Sequence, residues 1–94
     1  MLNVLIVEDE VSYLEALKIT LEPEGFSIAT ATDGRTGIGS FETNHPDIVL
    51  LDLMLPDLSG LDVLRRIRQK SDVPVIVVSA KSAEADIVTA LELG

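Results

Sequence analysis

The hydrophobic period switches repeatedly along this chain, from short continuous β-branched runs to apolar residues spaced three and four apart. Asn3 to Val7 reads as a buried strand. Val11, Leu14, Leu17 and Leu21 then recur at helical spacing until Pro23 and Gly25 stop the helix. Phe26 to Ala31 alternates apolar with small or polar residues as a second strand, and Thr32-Asp33-Gly34 follows as a turn. Thr36 to Thr43 is the second helix and the weakest, because Gly37 and Gly39 are each poorer than Ala by about 1 kcal/mol. His45-Pro46-Asp47 breaks the chain before a third strand, Ile48 to Asp52. Pro56, Ser59 and Gly60 make a loop. Ser59 or Gly60 starts a third helix with Leu61, Leu64 and Ile67 as its buried stripe, and Asp62 approximates a capping box with Ser59. Pro74 introduces a fourth strand, Val75 to Val78. Ser82 caps a last helix with Glu84 and Asp86 in its first turn, and Gly94 is placed as its stop. Strict β-α alternation predicts the α/β class: a doubly wound parallel sheet with helices on both faces. Right-handed crossovers make the first strand the neighbour of the third, with the second on its other side.

Composition narrows the function classes. Ninety-four residues make one domain, residues 1–94, and the 47% hydrophobic content is aliphatic, with Tyr13, Phe26 and Phe41 as its aromatics. The apolar runs are far shorter than the roughly 18 to 20 residues of a membrane span, and Glu8-Asp9-Glu10 interrupts the first of them as no signal peptide would be. Without cysteine there is neither disulfide nor thiolate metal site, which fits a cytoplasmic location. A formal charge of −9 argues against direct contact with nucleic acid. The one basic cluster, Arg65, Arg66, Arg68 and Lys70, reads as a solvated helix face.

Chemistry concentrates where two apolar runs end in acid. Val4 to Val7 runs into Glu8-Asp9, and Ile48 to Leu51 runs into Asp52. Parallel neighbours put their carboxyl ends on one side, so the three acids meet if the strands are adjacent. Like charges that close require a divalent cation, a raised pKa or a bound basic group. Hard carboxylate oxygens suit Mg²⁺ or Mn²⁺, and such ions are completed by phosphate oxygens. Ser79, just past the fourth strand, would stand beside the crevice. The local chemistry therefore points to metal-assisted phosphoryl transfer, with a carboxylate able to serve as nucleophile. His45 and Lys81 read as solvated loop residues.

Val7-Glu8-Asp9, Leu51-Asp52-Leu53-Met54-Leu55-Pro56, Ser59-Gly60, Val77-Val78-Ser79-Ala80 and Ala90-Leu91-Glu92-Leu93-Gly94 together resemble the receiver domain of two-component response regulators. That resemblance implies a flavodoxin-like sheet of strand order 2-1-3-4 and a phospho-accepting switch rather than an enzyme. It makes Asp52 the residue phosphorylated by a sensor histidine kinase. Asp9 touches Mg²⁺ directly, Glu8 acts through water, Met54 lends its backbone carbonyl, and Ser79 is the hydroxyl that turns toward the phosphoryl group. The family pattern continues past Gly94 with a fifth strand, a Lys-Pro and a fifth helix, so the resemblance reads residues 1–94 as a receiver incomplete at its C-terminus. The missing Lys would bind phosphate, and the uncovered fourth strand is expected to pair edge to edge in a dimer or to exchange terminal elements between protomers. The chain looks most like receivers that precede a winged-helix DNA-binding domain, which implies transcriptional control through an output domain.

Two other readings compete. A phosphatase with an aspartyl nucleophile needs an acid two residues on, where Met54 stands. A non-phosphorylated interaction module is favoured by the missing Lys.

Overall fold

The structure is a computed structural model that describes residues 2–77. Four strands form one parallel sheet in the order β2-β1-β3-β4: β1 (Asn3–Val7), β2 (Ser27–Ala31), β3 (Ile48–Leu51) and β4 (Val75–Val77). Among the described residues three α-helices alternate with them: α1 (Val11–Leu21), α2 (Gly34–Asn44) and α3 (Gly60–Arg68). The expected class and strand order are what the fold has. The expected last helix, Ser79, Lys81 and Val78 lie outside the described residues.

Alternation along the central strands builds two cores. Leu5, Val7, Val49 and Leu51 face α2 and α3, meeting Phe41, Leu61, Val63, Leu64 and Ile67. Val4, Ile6 and Leu50 face the other side, where Leu14, Leu17 and Leu21 of α1 cover them. Both faces of β1 and β3 are thus apolar, which explains why these runs are continuous rather than alternating.

Several boundaries differ from the periodic reading, each for a local reason. Val11 is exposed, not on the buried stripe, because α1 has only just begun there. Pro23 continues the chain in a short 3₁₀ turn, Glu22–Glu24, and Gly25 ends it at φ 94, a left-handed conformation that glycine adopts without a Cβ penalty. Helix α2 starts at Gly34, two residues before the expected Thr36, because Asp33 caps it by accepting from the Thr36 N–H at 2.7 Å. His45 ends the same helix in the left-handed region at φ 46 and is exposed, as a turn residue. The capping box at α3 is half made: Ser59 accepts from the Leu61 N–H at 3.2 Å, while Asp62 pairs with Arg65 at 3.1 Å. Two residues of the basic cluster are engaged, Lys70, just past α3, by Glu42 of α2 at 2.7 Å and Arg68 by the Val73 carbonyl at 2.5 Å.

The two glycines that weaken α2 on paper have different standing in space. A Cβ at Gly37 would lie 2.9 Å from Val7 Cγ1, so the helix needs a hydrogen there to reach the sheet, whereas a Cβ at Gly39 would meet nothing within 4 Å. Gly39→Ala is therefore expected to stabilise by up to about 1 kcal/mol. Gly37→Ala is expected to destabilise by about 1–3 kcal/mol through overpacking. Urea unfolding of the two variants checks this, and equal signs would contradict it.

Candidate functional site

The site is built by the hydrogen-bond ladder running one residue past the strands. Val7 is paired with Leu51, and the Asp52 N–H donates to the Val7 carbonyl at 2.9 Å. On the other side of β1 the Glu8 N–H donates to the Ala31 carbonyl, also at 2.9 Å. Glu8 and Asp52 are thus seated on rungs of the sheet, and Asp9 follows in the turn into α1. One carboxylate oxygen from each of the three lies within 4.8 Å of the others. Glu8 and Asp52 are buried, 4% and 5% exposed, while Asp9 faces solvent.

Such a cluster must respond to its own charge. Burial pushes the Glu8 carboxyl up to about 7 from an ordinary 4.5, reinforced by a hydrogen bond to the Asp52 side chain and by repulsion from its charge. The backbone N–H of Glu10, donating to Glu8 Oε2 at 3.3 Å, works in the opposite direction and is too weak to win. Glu8 therefore holds its proton well above the ordinary carboxylate range. A hard divalent cation answers the same electrostatic demand through the same oxygens, so the donor set fits one.

The loop after β3 completes the site. The Met54 N–H donates to Asp52 Oδ1 at 3.1 Å, while the Met54 side chain points to solvent and is 48% exposed. Loop closure is made by a Met54–Ser59 bridge and by the Gly60 N–H on the Leu53 carbonyl at 2.8 Å. Gly60 can have no side chain there, since a Cβ would sit 2.4 Å from the Asp52 carbonyl oxygen. Of the residues expected at the site, the structure brings Glu8, Asp9 and Asp52 together and sets Met54 beside them, while Ser79 falls outside the described residues. His45 lies before β3, at the opposite end of the sheet.

One residue of this loop escaped the sequence reading. Asp57 accepts from the Gly34 N–H at 2.7 Å and the Arg35 N–H at 3.0 Å, and so caps α2 from a distance. Partial burial pulls its carboxyl up, but backbone N–H groups of Gly34, Arg35, Leu58 and its own residue outweigh that and hold it below the ordinary 3.8. An acid in a turn was the available signal, but nothing in local spacing names a helix 23 residues upstream.

A parallel sheet of this order, with acids at its carboxyl edge, fits a receiver, and the chain belongs to that family: the response regulator receiver domain model matches residues 4–94. Sensory transduction protein RegX3 of Mycobacterium tuberculosis is 50% identical over 94 residues, covering 100% of this chain and 41% of that protein. Transcriptional regulatory protein CseB of Streptomyces coelicolor is 47% identical over 92 residues, covering 98% of this chain and 39% of its own length. The chain thus spans about two fifths of the curated relatives it matches. Among solved structures, a CheY-like response regulator receiver domain from Methanospirillum hungatei superposes with a TM-score of 0.92 at 26% identity, over 100% of this chain and 76% of that one. Among the described residues no helix is long and apolar enough to cross a membrane.

The raised Glu8 carboxyl fixes a sign for stability against pH. Between about 4.5 and about 7 the folded state holds a proton that the unfolded state has released. Glu8's contribution is therefore fully present below 4.5 and is lost as pH rises through about 7. Relative to Glu8→Gln, which cannot ionise, the parent protein should lose stability across that window. Thermal unfolding of both proteins from pH 4.5 to 8 without divalent ions measures the difference, and parallel curves would refute it.

Proposed function

We propose that residues 1–94 act as one receiver domain, a signalling switch that accepts a phosphoryl group on Asp52 from a sensor histidine kinase. The observation that carries this reading is the convergence of Glu8, Asp9 and Asp52 at the carboxyl edge of β1 and β3, with one carboxylate oxygen of each within 4.8 Å of the others. Asp9, Glu8 and Asp52 would hold Mg²⁺, or Mn²⁺ in its stead, with the Met54 carbonyl. When bound, that ion offsets the negative charge of the carboxylates and of the phosphoryl oxygens.

The chain's own residues do the rest. An Asp52 carboxylate oxygen attacks phosphorus as the phosphorus–nitrogen bond to the kinase histidine breaks, and the electron pair of that bond stays on the imidazole nitrogen. The Met54 N–H on Oδ1 restrains the carboxylate during the attack. Burial of Asp52 limits the access of water to the acyl phosphate. Ser79 supplies the hydroxyl that turns toward the new phosphoryl group, whose charge of about −2 biases the neighbouring segments toward a second arrangement. The residue two past Asp52 is Met54, which has no proton to give a leaving group, so the chain signals rather than turns over substrate. The name of CseB, a transcriptional regulatory protein, supports control of transcription, and that of RegX3 supports sensory transduction; on this reading the control is exerted through an output domain, in the cytoplasm.

Incubation of the full chain with Mg²⁺ and a small acyl phosphate should give one phosphoryl adduct by intact mass. The adduct should be absent from Asp52→Ala and from samples treated with a chelator. Failure of the parent protein to form any adduct, or steady release of phosphate over many turnovers, would overturn the reading.

A further inference from the structure

The site loop has a second anchorage, remote from the acids. Its base is closed by the Met54–Ser59 bridge, and between those residues stand Leu55, Pro56, Asp57 and Leu58. Asp57 ties that span to α2. Oδ1 accepts from the N–H groups of Gly34 and Leu58 at 2.7 and 2.8 Å, and Oδ2 accepts from Arg35 at 3.0 Å. The backbone is close as well, since a Cβ at Gly34 would lie 2.8 Å from Leu58 Cβ and 3.2 Å from Asp57 Oδ1. The Arg35 guanidinium adds little, being 3.9 Å from Oδ2 and largely solvated.

Helix capping alone does not account for this. Asp33, adjacent in sequence, already caps α2 through the Thr36 N–H, and its carbonyl takes the Gly37 N–H at 3.0 Å. Asp33 and Asp57 thus divide the free N–H groups of Gly34, Arg35 and Thr36 at one helix end. Only Asp57 belongs to the loop that begins at Asp52.

We infer that Asp57 is a positioning residue: seated on the first two N–H groups of α2, it fixes the loop that would present the Met54 carbonyl, and thereby sets the cation affinity of the acidic cluster. The inference rests on reading that cluster as a cation site. Removing the carboxylate releases the tip of the loop from the α2 N–H groups and leaves its base closure and the packing of Leu55 and Leu58 on the core, so a ligand offered by the loop backbone is held less firmly.

The pair of caps provides the test. Mg²⁺ titrations by calorimetry on the full chain compare the parent protein, Asp57→Ala and Asp33→Ala, with thermal unfolding recorded for each. Both variants should lose stability. Asp57→Ala should bind Mg²⁺ about three- to tenfold more weakly, short of the 10–100-fold typical of groups bonded directly to a metal ligand. Asp33→Ala should stay within about twofold of the parent, as a cap that does not reach the loop. Equal Mg²⁺ affinities in the two variants would overturn the inference while leaving the cation site intact. Absence of Mg²⁺ binding in the parent protein would instead remove the site and the inference together. Should Asp57→Ala fail to fold, Asp57→Asn, which keeps Oδ1 and loses the second acceptor, carries the same comparison with a smaller expected loss.

Discussion

Everything at the carboxyl edge follows from the register between β1 and β3. With Val7 opposite Leu51, the next rung sets Glu8 beside Asp52, and ladder hydrogen bonds fix both main chains. Two carboxylates no more than 4.8 Å apart repel by about 3 kcal/mol or more at an effective dielectric of 20. A single hydrogen bond contributes about 1 kcal/mol net, so one rung would not resist that force. The fully buried Leu5, Ile6, Val7, Val49 and Leu51 do resist it, because a shift of one residue would take every one of these side chains out of the close-packed place it fills. The sheet does not yield, and the charge state does.

Rigidity of that kind also demands close approach by the covering layer. Gly37 lets α2 lie directly on Val7, Gly34 lets the loop after β3 meet the start of α2, and Gly60 lets α3 begin under Asp52. Each of these contacts presses on a residue at the edge where the acids emerge. The helices thus do more than close the core: they fix the backbone from which the site is made.

Sequence alone carried the sheet, its order and the acids, because those depend on patterns local to each strand and on the handedness of crossovers. Glu8, Asp9 and Asp52 were legible as strand ends, and their meeting followed once the strands were parallel neighbours. What escaped was set by contact across the chain. Asp57 is five residues from Asp52, yet its partners Gly34 and Arg35 lie before β3. Gly37 counted as a helix weakness by propensity, while Val7, thirty positions earlier in the sequence, makes it a requirement. Val11 fitted a helical stripe by spacing but stands at the helix start, where no strand lies beneath it. Propensity and period describe one element at a time, and these residues answer to two.

The site has a stiff half and an adjustable half, and this division bears on how it can signal. Glu8 and Asp52 come from strands seated on ladder bonds and buried on both faces, so added charge cannot move them far. Met54 comes from a loop held at Asp52 by one hydrogen bond, at Ser59 by one bridge and at α2 by Asp57. On the proposed reading, a phosphoryl group of about −2 charge on Asp52 would compete for donors with the same backbone that now serves the carboxylate. Its stabilisation must then come from groups able to move toward it, which excludes the strands and selects the loops beyond them. On that reading, an added charge that the strands cannot follow would become displacement at the surface, where a partner could read it.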